Sequence, residues 1–288
     1  MMNRRQLLRQ SALGLGALAL GQAVQATNRA TAGQSANFQH SACRWCYNDI
    51  PLETLCERGQ DLGLKSIELL KPEEWPVAQR YGLTCAVGTA DFARITEGFN
   101  DRRNHRTLQA QYPALLQQAA DAGIPNVICF SGNRRGMRDD KGMDNCARGL
   151  EPLVREAERL GVTLIMEMLN SKVDHQDYMA DTTQWAVDLA NKIGSPNFRL
   201  LYDIYHMQIM EGDVIRTIRD NQAYIAHYHT GGVPGRHEIN ESQELYYPAI
   251  VRAIAETGFT GFIGQEFIPT YEDKLAALQE GLGICSIS

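Results

Sequence analysis

Between residues 38 and 283 the chain changes its hydrophobic period repeatedly. A short, apolar, β-rich run gives way to a longer amphipathic stretch, eight times over. The candidate strands are 38–43, 65–70, 83–88, 126–131, 163–169, 198–203, 225–230 and 261–266. The helical patterns that follow them are 51–62, 72–80, 106–122, 143–160, 182–192, 213–221, 244–257 and 272–283. Gly123, Gly161 and Gly258 stand where three of these helices should stop, because glycine takes the left-handed closing conformation without a steric penalty. Strands this short and this continuously apolar belong in a parallel sheet buried under helices. Eight strand-helix units in about 250 residues is the arithmetic of one α/β domain, the (β/α)8 or TIM barrel. A doubly wound open sheet is the runner-up. It lacks support, since no Gly-x-Gly-x-x-Gly follows the first strand.

The barrel domain is expected over 37–288, after a short linker at 27–36. Residues 1–26 are of another kind. They hold Arg4, Arg5 and Arg9, no acid, an apolar run from Ala12 to Leu20, and a small-residue exit at Ala23-Val24-Gln25-Ala26. That order reads as a secretory signal and not as a membrane span. The adjacent pair in Asn3-Arg4-Arg5-Gln6-Leu7-Leu8 resembles a twin-arginine signal, so a periplasmic or otherwise exported location is expected. Beyond this segment no apolar run approaches the roughly 20 residues a membrane span needs, and no stable membrane anchor is expected. The chain holds seven cysteines, an odd number, and only one CxxC, Cys43-Arg44-Trp45-Cys46. In a strand those two thiols would point to opposite faces, which disfavours a shared metal or a redox pair. Export after folding avoids the oxidising compartment, so all seven are expected to be structural thiols.

Charge narrows the function. The formal net charge is −6, and loss of the three signal arginines would leave the remainder near −9. A nucleic-acid binder would normally carry a basic excess, so no nucleic-acid partner is expected.

In a barrel, side chains at the C-terminal ends of the strands converge on one mouth. From the fifth strand onward those ends carry Glu167, Asp203, His229 and Glu266, separated by 36, 26 and 37 residues, about one strand-helix unit each. Three carboxylates gathered at an apolar mouth would repel one another unless a cation lay between them. An oxygen-rich set with one imidazole suits one divalent ion, Mn²⁺ or Mg²⁺, better than a structural zinc site, which favours thiolates. Such an ion, holding a carbonyl oxygen and the neighbouring hydroxyl, acidifies the carbon-bound proton and stabilises an enediolate. One glutamate moving that proton between adjacent carbons gives isomerisation. Two glutamates on opposite faces of one carbon give epimerisation. Glu167 and Glu266 fit either scheme. His206, three residues past Asp203, is a candidate donor to the developing oxyanion or a positioner of the ligands.

These stretches carry a family resemblance. Tyr202-Asp203-Ile204-Tyr205-His206-Met207-Gln208, with Glu211-Gly212, resembles the hydroxypyruvate isomerase family of xylose-isomerase-like barrels, whose near relatives are ketose 3-epimerases. His227-Tyr228-His229-Thr230-Gly231 is similar to the epimerase pattern in which the histidine is a metal ligand. Glu167-Met168-Leu169-Asn170 resembles the family's Glu-Pro-x-Asn stretch, with Met168 in place of proline, and Val233-Pro234-Gly235-Arg236-His237-Glu238-Ile239 resembles its Pro-Gly-x-x-Glu-Ile loop. The similarity runs through about residues 37–285 and is strongest after residue 160. It implies that Glu167, Asp203, His229 and Glu266 bind a divalent metal and that both glutamates also act on the substrate.

Arg236 and Glu238, in the loop after the seventh strand, are candidate holders of substrate polar groups, and Trp45, near the first strand end, could wall a sugar ring. Phe99 is a second candidate wall, and core packing is the leading role for both. Arg102, Arg103 and His105 follow the third strand, and Arg134 and Arg135 the fourth. Each cluster reads as a carboxylate binder or as solvated loop charge. The leading expectation is a metal-dependent isomerase or epimerase of a small hydroxy-carbonyl compound or keto-sugar, a carbohydrate-like partner. The alternatives are a lyase that removes the aglycone from 3-keto-glycosides, which export favours, and a non-catalytic periplasmic sugar-binding protein. The signal is the part most simply tested. Arg4→Lys/Arg5→Lys should hold the protein in the cytoplasm in cell fractionation, whereas normal export of that double variant would defeat the twin-arginine reading.

Overall fold

The computed structural model describes residues 37–287, so the expected signal at 1–26 and the expected linker at 27–36 lie outside the described residues. Eight parallel strands form the sheet: β1 (Gln39–Cys43), β2 (Ser66–Glu68), β3 (Val87–Gly88), β4 (Asn126–Cys129), β5 (Thr163–Glu167), β6 (Phe198–Asp203), β7 (Ile225–Thr230) and β8 (Phe262–Gln265). Neighbours in sequence are neighbours in space, and β1 pairs with both β2 and β8. Only β2 and β3 lack a continuous ladder. Two parallel bridges, Ser66 with Thr84 and Leu70 with Gly88, span that seam and nearly close the barrel. The fold is the expected single TIM-barrel domain.

The short β3 has a local cause. The sequence suggests a strand over 83–88, but Ser66 Oγ takes the Ala86 N–H at 2.7 Å. A side chain thus takes over a bond that a longer ladder would have made between backbones.

The outer layer is made of α1 (Leu52–Asp61), α2 (Trp75–Arg80), α3 (Arg102–Ala122), α4 (Asp139–Leu160), α5 (Thr183–Ile193), α6 (Ile204–Met210), α7 (Val214–Asn221), α8 (Tyr247–Glu256) and α9 (Lys274–Ile284). Gly123 and Gly161 close α3 and α4 in the left-handed conformation. The short α6 was not expected. It starts directly off β6, where the Asp203 carboxylate accepts the His206 N–H and so caps the new helix.

Side chains alternate along a strand, so the face that carries Glu167, Asp203 and His229 also carries His227 one step below His229. The interior of this barrel is partly polar, with Ser41, Ser66, Glu68, His227 and His229 all fully buried. All seven cysteines are buried free thiols. Among the described residues no helix is long and apolar enough to cross a membrane.

Candidate active site

The strand register itself assembles the cluster. Asp203 pairs across the sheet with His229, Thr230 with Gln265, and the Glu266 N–H donates to the Thr230 carbonyl. One donor atom from each of Glu167, Asp203, His229 and Glu266 lies within 4.8 Å of every other. All four side chains are buried. His229 Nδ1 is 2.8 Å from Glu266 Oε2 and 3.2 Å from Glu167 Oε1.

Burial raises every carboxyl here, and only the neighbours distinguish them. Asp203 is pushed up to about 8 by burial and by the charges of Glu266 and Glu167, against the pull of Arg236 and His229. Glu167 is raised by burial and by Glu266. Burial would raise Glu266 too, but the Arg236 guanidinium and His229 beside it hold it well below the carboxylate range. Three buried carboxyls therefore share too little positive charge for all to ionise, which is the condition a bound cation would relieve. The donor set, three carboxylates and one imidazole, fits a hard divalent ion.

Sequence reasoning missed the residue that orients the imidazole. Glu68, at the end of β2, places Oε1 2.7 Å from His229 Nε2 and 2.8 Å from His227 Nε2. With Nε2 engaged there, Nδ1 is the nitrogen presented to the carboxylates, the arrangement by which an outer carboxylate sets a metal-ligating histidine. Burial would raise the Glu68 carboxyl, yet the two imidazoles hold it below its usual range. Gly264 on β8 makes this packing possible, since a Cβ there would sit 2.6 Å from Glu68 Oε1 and 2.9 Å from His229 Cδ2. The one available signal in the sequence was a glutamate within the expected strand 65–70, beside Ile67, Leu69 and Leu70.

His206 is fully buried, and burial followed by the Arg236 charge lowers its pKa well below the usual range. Its tautomer follows from Asn170. That side-chain oxygen accepts the N–H groups of Val173 and Asp174, so the amide nitrogen faces His206 Nδ1 at 2.7 Å and donates to it. The proton of the neutral ring then sits on Nε2, which lies 3.5 Å from Asp203 Oδ2 without a hydrogen bond.

Arg236 joins the cluster directly, 2.5 Å from Glu266 Oε2 and 3.4 Å from Asp203 Oδ2. Its guanidinium lies between the Trp45 and Tyr205 rings, 5.0 and 5.4 Å from their centroids. Trp45 in turn donates its indole N–H to Glu266 Oε1 at 2.7 Å. Glu238 lies elsewhere. Its carboxylate accepts from the Thr270 N–H and hydroxyl and from the Tyr271 N–H, which braces the loop after β8, so the expectation of a substrate contact is corrected.

In the basic clusters the structure shows paired or exposed loop charge, the second of the two expected readings. Arg103 pairs with Asp101, which caps α3, and Arg134 pairs with Asp139 and Asp181. Arg135 reaches Asp101 at 3.8 Å, while His105 is buried with Nε2 2.8 Å from the Phe99 carbonyl. Phe99 packs against Tyr112 in the core, and Arg102 is exposed.

A cavity of about 390 Å³ opens beside the cluster, lined by Glu167, Glu266, Arg236, Trp45 and His175 together with Thr89 and apolar side chains. Leu69 and Arg236, two of its lining residues, hold positive φ of 56° and 59°, backbone strain of the kind that concentrates at binding sites. A larger hollow of about 540 Å³ lies among the strand beginnings, around Arg199, Tyr228 and Phe262, and gathers no carboxylates.

Comparison with known proteins agrees with this fold. Residues 58–284 match the family described as xylose isomerase-like TIM barrel. The chain is 27% identical over 251 residues to a putative hydroxypyruvate isomerase of Homo sapiens, covering 84% of this chain and 83% of that protein. It is 25% identical over 253 residues to the 2-oxo-tetronate isomerase of Pectobacterium atrosepticum, covering 82% and 92%. Among solved structures, the AP endonuclease, family 2 from Brucella melitensis superposes with a TM-score of 0.74 at 21% identity, over 84% of this chain and 97% of that one, a likeness of fold.

Removing the outer carboxylate tests how the imidazole is set. Glu68→Ala should weaken divalent-metal binding about 10- to 100-fold in a chelator competition. Unchanged affinity would show that His229 needs no such partner.

Proposed function

Because the chain belongs to the xylose isomerase-like TIM barrel family, we propose that it is a divalent-metal-dependent isomerase or epimerase of a hydroxy-carbonyl compound, acting like a hydroxypyruvate isomerase by glutamate-mediated proton transfer. The observation that carries this reading is the meeting of Glu167 and Glu266, from β5 and β8, with Asp203 and His229 at the edge of a sheltered cavity. The homologues, which are isomerases, support the reaction class. Glu167, Asp203, His229 and Glu266 would hold the ion, Mn²⁺ or Mg²⁺, which when bound polarises the substrate oxygens and so acidifies the neighbouring carbon-bound proton.

The chain's own groups do the rest. Glu167 and Glu266 both line the cavity, where a carboxylate oxygen can take the carbon-bound proton and return it to the adjacent carbon or to the opposite face. Trp45 and Arg236 fix the Glu266 carboxylate in one orientation, so it meets substrate without a search over rotamers. The neutral His206, its Nδ1 held by Asn170, offers an Nε2–H to a substrate oxygen as negative charge develops there. The apolar walls exclude water from the reacting carbon. The arginine-bearing segment at 1–26 supports a site of action outside the cytoplasm.

Glu167→Gln and Glu266→Gln keep the shape of each side chain and remove its basicity. With metal content measured in parallel, each should lose about 10²- to 10⁴-fold in turnover, the usual range for a general base. In deuterated water the wild-type product should carry deuterium on the carbon next to the carbonyl. A metal-loaded double variant that turns over near the wild-type rate would refute the mechanism.

A further inference from the structure

The curated relatives are named for hydroxypyruvate and 2-oxo-tetronate, both organic acids. The cavity of this chain is built differently from what an acid requires. Among the described residues that line it, Arg236 is the one side chain with a fixed positive charge, and two carboxylates already share it. On the neighbouring loops Arg103 pairs with Asp101, Arg134 with Asp139 and Asp181, and Lys71 with Asp91. Lys172 donates to the carbonyls of Ile209 and Met210. His175, the lining imidazole, is kept neutral by burial and by the Arg236 charge.

The guanidinium already partners two of the three cluster carboxylates, so no fixed positive charge of the lining is left over for a further anion. A substrate carboxylate would enter this site as an uncompensated buried anion, which is costly. The rest of the lining is Leu69, Ala93, Ile95, Ile128, Phe130 and Leu169, with Thr89 the one hydroxyl among them. It offers an acid little to bind, and it offers an apolar group a large contact. About 390 Å³ also exceeds what a three-carbon acid needs, since pockets for drug-sized ligands begin near 300 Å³.

Building on the proton-transfer reading above, we propose that the substrate is an uncharged hydroxy-ketone whose far end is apolar and lies against the Leu69–Ile95–Phe130 wall. The hydroxy-ketone end faces the two glutamates.

Three probes share one HOCH2–CO– unit and differ only beyond it: hydroxypyruvate, dihydroxyacetone, and the mono-benzyl ether of dihydroxyacetone. Binding to the Mn²⁺-loaded wild-type protein is read from tryptophan fluorescence, since Trp45 lines the cavity. Turnover is read as exchange of the hydroxymethyl protons with deuterated water, above the enzyme-free rate. The benzyl ether should bind at least about tenfold more tightly than dihydroxyacetone. Dihydroxyacetone should in turn exchange at least about tenfold faster, at equal low concentration, than hydroxypyruvate. Preference for hydroxypyruvate would overturn the uncharged substrate while leaving the proton-transfer reading intact. Exclusion of the benzyl ether with dihydroxyacetone accepted would overturn the apolar end. No exchange with any of the three would overturn the proton-transfer reading, and this inference with it.

Discussion

Like charges confined in a space with little water set the terms for this molecule. Glu167, Asp203 and Glu266 bring three carboxyls to one point, all within the reach of a single ion, with burial working against each. Such a cluster is stable only when positive charge is placed against it. Much of the surrounding structure does that. Arg236 leans in from the loop after β7 at positive φ, steadied by Trp45 and Tyr205, and His229 presents Nδ1 from below.

The same constraint reaches down into the barrel. An apolar interior would stabilise the strands more simply, yet this chain buries Glu68 beneath His229 and beside His227, over a Ser41–Ser66 hydrogen bond. The carboxylate between two imidazoles fixes which nitrogen of His229 faces the cluster, and Gly264 gives up a side chain to let it approach. Stability is traded here for the orientation of one ring. On the other flank Asp203 ends β6, caps α6 and joins the cluster, so one carboxylate ties backbone geometry to site geometry.

Much of this was legible from the residues. The period change between strand and helix is strong in the second half, and β6 and β7 fall on the expected 198–203 and 225–230. The four cluster residues could be read because parallel strands must end at one mouth. What escaped was the part set by side chains meeting across the fold. Ser66 shortens β3, Asp203 starts α6, and Glu68 finds two histidines more than 150 residues away in sequence. Glu238 looked like a substrate contact because its loop borders the mouth, and nothing in one sequence reveals that its carboxylate turns to Thr270. Of the loop arginines' partners, Asp101 and Asp139 lie close in sequence, and Asp181 is brought to Arg134 by the fold.

The central claim is that the four strand-end residues form one divalent-ion site. Elemental analysis of protein stripped with chelator, reloaded with Mn²⁺ and desalted tests it most directly. The expected result is about one ion per chain in the wild type and a loss of most of it in Asp203→Ala, with circular dichroism showing the barrel still folded. Undiminished metal content in a folded Asp203→Ala protein would contradict the account.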